Sequence, residues 1–512
     1  MKIKLSALFL VVLLAVGFFY RIYGLSENYS FWIDEFSSGD FAAAIVKFGA
    51  PQTKTGNWEP KTLLYQYLMA LGMKIAGVNE FGARLPAVFF GTITILAVFL
   101  IFKKLFDWRV GLGVSLMTTF FAMEIVWSRQ ARSYALWQLV SLCLIYFFWE
   151  TTENFSLKNF VFFLFFFCLS LISHFLTIGL IFPMFFYFLI FKRKGFSPKK
   201  LMKIKFRDLS LLFVFSAVLT SILVTFGLQE TVSQIWEERT NLFLLFNHLL
   251  YYHSFFWRQY GLLVFGAILG ASLAFKRRER RDCYLILVIL GYVLFATFLV
   301  KWHDVRYLYP VFPIFFFVYF IYLLLEITAT ISNKKNFQTI IFFVLVLFVI
   351  ANGYKFVVKP KKFYSPNTDM REIPLADYNL AYQRIKQVIH HDNHVAVVDT
   401  WSPRMAWYLG RDYCCAYRIR SVQDFPFKQE KARKIETGFG FGAITDVDDL
   451  LSTIKDYKKG FVFIDGHEIP YLPKDTLGYI ENNLKLEIKF DRFSLDPDPY
   501  DTWPAWLYSW GI

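Results

Sequence analysis

The sequence predicts a polytopic α-helical membrane protein that carries a small α/β domain at its C-terminal end. Three observations predict it. The 512 residues are 56 % hydrophobic and 21 % aromatic with only 19 % charged, whereas soluble domains hold roughly a quarter charged residues. The apolar residues come in blocks of about 17–22, the length that crosses a hydrocarbon core of roughly 30 Å. Beyond about residue 356 the charge density rises, and short apolar strands alternate with amphipathic segments.

The net charge of +15 does not make this a nucleic-acid binder. Its basic residues cluster in short loops between apolar blocks, where the positive-inside rule places them. Cysteine gives no disulfide framework: Cys143, Cys168 and Cys283 lie within predicted spans, and Cys414 and Cys415 are adjacent.

The N-terminal MKIKLSALFLVVLLAVGFFYRIYG has a basic start and an apolar centre but no small-x-small cleavage site, so it reads as an uncleaved first span. Spans are expected at 5–23, 83–102, 109–127, 134–150, 158–173, 175–191, 209–228, 259–275, 283–300, 307–325 and 337–354, about eleven in all. With Lys2 and Lys4 inside, KK at 103–104, KRKGFSPKKLMKIKFR at 192–207, KRRERR at 276–281 and NKK at 333–335 all fall on the cytoplasmic side. The external loop 24–82 then holds FWIDEF (31–36), and the C-terminal segment lies outside the cell. Within that loop KTLLYQYLMALGMKIAG (61–77) is apolar and helical in period but interrupted by Lys61 and Lys74, which suits a helix lying at the interface. The resulting division is 1–355 for the membrane domain and 356–512 for an extracytoplasmic α/β domain. In the latter NLAYQRIKQVI and SPRMAWYLG are expected helices, and HVAVVDT and GFVFID expected strands.

Charge collects at one predicted face. Arg84 opens the second span, Arg129 and Arg132 sit in WSRQARSYA, and Lys301, His303 and Arg306 sit in KWHDVRYLYP beside Tyr307. His174 occupies the turn SHF, and Asp34, Glu35 and Glu59 lie in the first external loop. Each has a plainer reading. Arginines at span ends snorkel to headgroups, Asp34 and Glu35 suit a helix N-terminus, and tyrosines belong to the interfacial belt. Together they bring guanidinium groups for phosphate and carboxylates for a proton or metal to one surface. Asp34, Glu59 and His174 would make a set for Mg²⁺, Mn²⁺ or Zn²⁺. No phosphate-binding Gly-rich loop, H-E-x-x-H helix or C-x-x-C pair occurs, so a lipid-borne donor fits better than a nucleotide.

With these residues in view the chain resembles the GT-C membrane glycosyltransferases of family 39, the protein mannosyltransferases and lipid A aminoarabinose transferases. Trp32–Asp34–Glu35 matches their W-x-D-E, Glu59–Pro60 their acid before proline, and Gly77–Glu80–Arg84–Leu85–Pro86 their G-x-x-E-x-x-x-R-L-P. WSRQARSYAL and VRYLYPVFP resemble two further family stretches, while Lys61 follows the proline where the family pattern puts lysine before it. The likeness runs over about residues 5–325. It implies inverting transfer of a hexose or pentose from a polyprenyl-phosphate carrier to a hydroxyl of a lipid, glycan or protein acceptor, outside the cell membrane. Asp34 is then the base, with Glu35 beside it, and Arg132, Arg306 and Arg84 are the phosphate contacts, with Arg129, His303, Tyr307 and Lys61 around the carrier. A polyprenyl-diphosphate-dependent ligase or polymerase, a lipid or solute transporter and an inactive glycan-binding relative are the alternatives. Polar residues at one face, with span centres mostly uncharged, count against a transporter.

Overall fold

A computed structural model describes residues 2–27, 30–52, 62–191, 246–301, 303–353, 355–362, 377–392, 394–421, 427–430, 433–490 and 504–512. Glu59, Lys61, the basic stretch 192–207 and the span expected at 209–228 lie outside these residues. The chain forms two compact units.

The first unit comprises Met1–Leu25, Pro60–Tyr65 and Arg84–Lys362. Its helices are α1 (Lys2–Ile22), most of α4 (Glu80–Leu105), α5 (Trp108–Phe120), α6 (Ala122–Trp127), α7 (Tyr134–Glu153), α8 (Leu157–Ser173), α9 (Ile178–Phe191), α10 (Leu249–Lys276), α11 (Arg280–Phe298), α12 (Tyr319–Ile331) and α13 (Lys335–Asn352). Among the described residues six helical stretches are long and apolar enough to cross a membrane, including Glu80–Leu105, Leu249–Lys276 and Pro313–Ile331. Leu157–Ser173 and Phe175–Phe191 are apolar but shorter. Leu100, Phe265, Leu290 and Phe348 are exposed on these helices, as a lipid-facing surface requires. Where helices meet, small residues let backbones approach: a side chain at Gly270 would collide with the Tyr319 carbonyl.

The span expected at 109–127 is not one helix. It breaks at Phe121, whose backbone is extended (φ −72°, ψ 129°) between α5 and α6. No proline is present; the break is held from outside. The Ala122 N–H donates to the Lys355 carbonyl at 2.9 Å and the Val357 N–H to the Phe120 carbonyl at 2.7 Å. These bonds replace the helical ones lost there. The Phe121 ring lies 5.0–5.9 Å from the rings of Tyr260, Phe316, Phe317 and Phe356.

The second unit comprises Ser26–Glu59, Gln66–Ala83 and Phe363–Ile512. This differs from the expected boundary at 355/356, because much of the external loop joins the C-terminal domain rather than the helical bundle. The reason is apolar packing around FWIDEF. Phe31 and Phe36, in and just before α2 (Ile33–Phe48), are fully buried. Phe31 lies 4.8 Å from Trp407, and Phe36 5.7 Å from Tyr378 and 5.6 Å from Tyr408. Burying each Phe supplies about 1.5–3 kcal/mol. Gly49, with φ 79°, ends α2 in the left-handed conformation that glycine adopts without penalty. The expected interfacial helix is α3 (Leu63–Ala76); Leu63, Met69 and Met73 are buried while Leu71 and Ile75 are exposed.

The C-terminal part is an eight-stranded sheet in the order β3-β4-β5-β2-β1-β6-β8-β7. Its parallel centre joins β5 (Gly442–Ile444), β2 (Ala416–Ile419), β1 (Val395–Asp399) and β6 (Lys459–Asp465). The remaining strands, β3 (Phe427–Glu430), β4 (Arg433–Glu436), β7 (Lys485–Phe490) and β8 (Ala505–Trp510), add antiparallel edges. Expected strands HVAVVDT and GFVFID are β1 and β6, and the expected helices are α14 (Tyr378–Ile389) and α15 (Ser402–Leu409). Every residue of β1 is buried, as parallel strands covered on both faces demand.

Where β1 and β6 end, Arg404 is fully buried between two carboxylates, at 2.5 Å from Asp399 and 2.9 Å from Asp465. Tyr382 donates its hydroxyl hydrogen bond to Asp399, and Tyr378 donates to Asp465 at 2.5 Å. Removing one partner from such a network strands buried charge, at a cost of about 3–5 kcal/mol. Arg404→Ala is therefore expected to lower the thermal midpoint of the purified protein and to open residues 377–512 to limited proteolysis. An unchanged melting curve and cleavage pattern would show that the network contributes little.

Candidate active site

The candidate residues fall into two groups, one in each unit. In FWIDEF, Trp32 is extended and α2 begins at Ile33, with Asp34 and Glu35 in its first turn. The Glu35 carboxylate is buried to 1 % exposure and folds back to accept from the Trp32 N–H at 3.3 Å. This is half of a capping box. Glu35, expected beside the base in a catalytic role, is thus a helix cap whose carboxylate faces its own backbone. Asp34 is only half-buried and stands in the first turn of α2, at the positive end of the helix dipole.

The basic group is built from three segments of the first unit. Arg132 sits in the turn between α6 and α7. Arg306 belongs to a 3₁₀ turn, Val305–Val311, capped by Asp304. His174 links α8 to the 3₁₀ turn Phe175–Thr177. The guanidinium carbons of Arg132 and Arg306 each lie 5.9 Å from the centroid of the Tyr134 ring. The His174 ring lies 5.5 Å from the same ring and stacks on Trp137 at 4.2 Å and 18°. Trp137 is fixed in turn, donating from Nε1 to Thr177 Oγ1 at 2.8 Å. Asp304 pairs with Arg306 Nε at 3.0 Å and accepts from the Arg306 N–H at 2.9 Å, which aims the side chain.

Burial, and after it the charges of Arg132 and Arg306, push the His174 pKa down to about 3. The ring is therefore neutral at physiological pH. Its Nδ1 accepts from the Leu176 N–H at 3.3 Å, so the ring proton sits on Nε2. Expected as a metal ligand, His174 does not suit that role. One nitrogen is engaged, the other carries the proton, and two guanidinium groups oppose a cation. Among the described residues no group of three His, Cys, Asp or Glu could hold a metal ion.

Other expected contacts are placed differently. Arg129 is fully buried, and its Nη1 donates to the carbonyls of Tyr20, Arg21 and Tyr23 at 3.4, 3.0 and 2.8 Å. Its Nη2 donates to the Lys362 carbonyl at 2.7 Å. Arg129, expected near the lipid carrier, instead neutralises the unpaired carbonyls at the end of α1. Arg84 is buried to 2 % exposure in α4 and does not snorkel. His303 has ring neighbours in His248 at 5.0 Å and Tyr251 at 4.6 Å, rather than in Tyr134. Tyr307 lies with its ring 5.7 Å from the Arg306 guanidinium.

Behind the arginine pair is a buried polar network that the sequence reading did not single out. Glu124, at 1 % exposure, accepts from Gln138 Nε2 and from the Tyr309 hydroxyl, each at 2.9 Å. Gln138 also donates to the Tyr309 carbonyl at 2.9 Å. Arg21 is fully buried nearby, donating to the Gly17 and Thr118 carbonyls at 3.0 and 3.2 Å. A side chain at Gly91 would meet Ser128 Oγ and the Arg21 guanidinium. The network joins the turn carrying Arg306 to the helix carrying Tyr134. A glutamate inside an apolar 19-residue block was the signal for it.

Residues 60–221 match the family model of dolichyl-phosphate-mannose-protein mannosyltransferases. Among solved structures the chain is similar to ArnT from Cupriavidus metallidurans in the apo state, with a TM-score of 0.61, 12 % identity and coverage of 99 % of this chain and 98 % of that one. The same protein bound to undecaprenyl phosphate matches with a TM-score of 0.57, 13 % identity and the same coverage. The archaeal oligosaccharyltransferase AglB from Archaeoglobus fulgidus, in complex with an inhibitory peptide and a dolichol-phosphate, matches with a TM-score of 0.53 and 11 % identity, over 98 % of this chain and 74 % of that one. No curated protein sequence matches the chain.

Proposed function

The chain is a membrane protein with the fold of the GT-C glycosyltransferases, and from that premise we propose that it moves a sugar from a polyprenyl-phosphate carrier to an acceptor hydroxyl at the extracytoplasmic face of the cell membrane. The observation that carries the reading is the pairing of Arg132 and Arg306 on one Tyr134 ring beside a neutral His174. Two guanidinium groups gathered from separate turns, with a nearby ring that adds no charge of its own, suit a phosphate monoanion becoming a dianion. The matched family takes its name from a dolichyl-phosphate sugar, and one structural neighbour was solved with undecaprenyl phosphate.

In the proposed reaction Asp34 accepts the proton of the acceptor hydroxyl as its oxygen attacks C1 of the sugar. The C1–O bond to phosphate breaks on the opposite face, so the anomeric configuration inverts. The electron pair of that bond leaves on the phosphate, where Arg132 and Arg306 stabilise it. No step is routed through a metal; a divalent ion held by Asp34 and Glu59 would be an addition to this scheme.

Purified protein in detergent, given a polyprenyl-phosphate sugar and a hydroxyl acceptor, is expected to release polyprenyl phosphate and form one new glycosidic bond of inverted configuration. Chelation, followed by addition of Mg²⁺, Mn²⁺ or Zn²⁺, tests the carboxylate pair for metal dependence. An intact donor after incubation with a panel of acceptors would overturn the reading and favour a transporter; breakdown of a polyprenyl-diphosphate donor alone would favour a ligase.

A further inference from the structure

The second unit contains a cavity of about 600 Å³ that the proposed chemistry does not use. Its size is that of a small-molecule site, which usually spans about 300–1,000 Å³. One wall is α2, through Asp40, Ala43, Ala44 and Lys47; another is α15 and the residues after it, through Trp407, Tyr408 and Arg411. Asn79, Glu80 and Phe81 lie at the start of α4, and Asn379 and Lys386 lie on α14.

The lining carries three cations and two carboxylates, and both carboxylates are already engaged. Asp40 is buried to 3 % exposure and is gripped by Arg411 Nε, at 3.0 Å from each carboxylate oxygen, and by Arg411 Nη2. Arg411 Nη2 also donates to the Asp40 carbonyl at 3.1 Å. Glu80 accepts from the Tyr408 hydroxyl at 2.9 Å. Lys47 is paired with Asp412 at 3.2 Å. Lys386 differs: its Nζ stands over the Tyr408 ring at 5.6 Å from the centroid, feels the nearby Glu80 carboxylate, and makes no direct ion pair among the described residues. A cation held over an aromatic face, with the Glu80 carboxylate acting on it from nearby but not in salt-bridge contact, is open to an anion that reaches it directly. The neighbouring faces of Trp407 and Phe81 add apolar surface of the kind that receives the C–H face of a pyranose, and Asn379 adds a planar amide able to bond ring hydroxyls.

We infer that this cavity holds the sugar end of the acceptor through an anionic group on that glycan, a carboxylate or a phosphate, with Lys386 as its counter-charge. The inference rests on the transfer reading above and gives the acceptor a chemical class. It also places acceptor recognition on the helix that carries Asp34. Asp40 is six residues further on, about 9 Å along the axis at 1.5 Å per residue, which is within two sugar units of the carboxylate.

Calorimetric titration of the full chain in detergent tests it, with trigalacturonate, mannose 6-phosphate, maltotriose and inorganic phosphate as probes. One or both charged sugars should bind at least tenfold more tightly than maltotriose and than inorganic phosphate. Lys386→Ala should remove about a factor of ten, equivalent to about 1.4 kcal/mol, and Lys386→Arg should restore it. In turnover the Lys386→Ala acceptor KM should rise about tenfold, with the donor KM as in the parent. Equal affinity for charged and neutral sugars, or charged-sugar binding unaffected by Lys386→Ala, overturns the site. Inorganic phosphate binding as tightly as the tighter-binding charged sugar overturns its assignment to a glycan. A parent protein that binds the charged sugars but breaks no donor instead overturns the transfer reading and leaves the cavity as a glycan site.

Discussion

Asp34→Asn is expected to reduce sugar transfer below about one hundredth of the parent, since a positioned general base contributes about 10²–10⁴-fold. The substitution keeps the shape of the side chain and replaces the carboxylate with a neutral amide that cannot take a proton. Its structural cost is small. Asp34 occupies the first turn of α2, where losing a carboxylate forfeits roughly 0.3–1 kcal/mol of interaction with the helix dipole. Expression and melting behaviour should therefore be close to the parent. The contrast with its neighbour sharpens the test. Glu35→Gln keeps a side-chain oxygen for the Trp32 N–H, so it should retain most activity. Transfer by Asp34→Asn above a hundredth of the parent rate would remove this carboxylate from the role of base, and strong loss in Glu35→Gln would move the role to its neighbour.

The second large effect concerns Arg306. Removing one preorganised donor from a developing anion typically lowers kcat by about 10²–10³-fold. Arg306→Ala should do this and raise the donor KM, while leaving the acceptor KM near that of the parent. A structural explanation must be kept apart, because the change also leaves Asp304 without its ion pair at 3.0 Å. Arg306→Lys separates the two. It keeps the charge beside Asp304 but lacks the planar fork that grips phosphate at two points, so it should recover stability fully and donor use only partly. Equal impairment toward donor and acceptor in both variants would assign Arg306 to structure alone.

Much of this organisation was legible in the sequence, for identifiable reasons. Apolar blocks and their basic flanks reported the membrane helices because hydrocarbon tolerates nothing else. HVAVVDT and GFVFID reported the parallel strands because continuous burial leaves an uninterrupted apolar run. The break at Phe121 was illegible, since its cause is the backbone of residues 355–357, more than two hundred positions away. Arg129 was misread for a related reason. An arginine at a span end looks the same whether it meets a phosphate or four main-chain carbonyls. Arg132, His174 and Arg306 were each visible as charges at a loop; that Tyr134 is their common neighbour required the fold. Glu35 was legible as a helix-terminal charge or as a reagent, and its bond to the Trp32 N–H is a contact that only the fold shows.

The enclosure of Phe31 and Phe36 by Trp407, Tyr408 and Tyr378 bears on how such proteins can be recombined. Residues 363–512 look like a detachable cassette along the chain, yet they share a compact body with Ser26–Glu59 and Gln66–Ala83. A chimera that imports only the C-terminal cassette would bring foreign side chains against both phenylalanines and against the Asp40 carboxylate that Arg411 grips. The heritable module is discontinuous: grafts that carry residues 26–83 together with 363–512 should assemble, and those that carry either piece alone should be cleared by quality-control proteases.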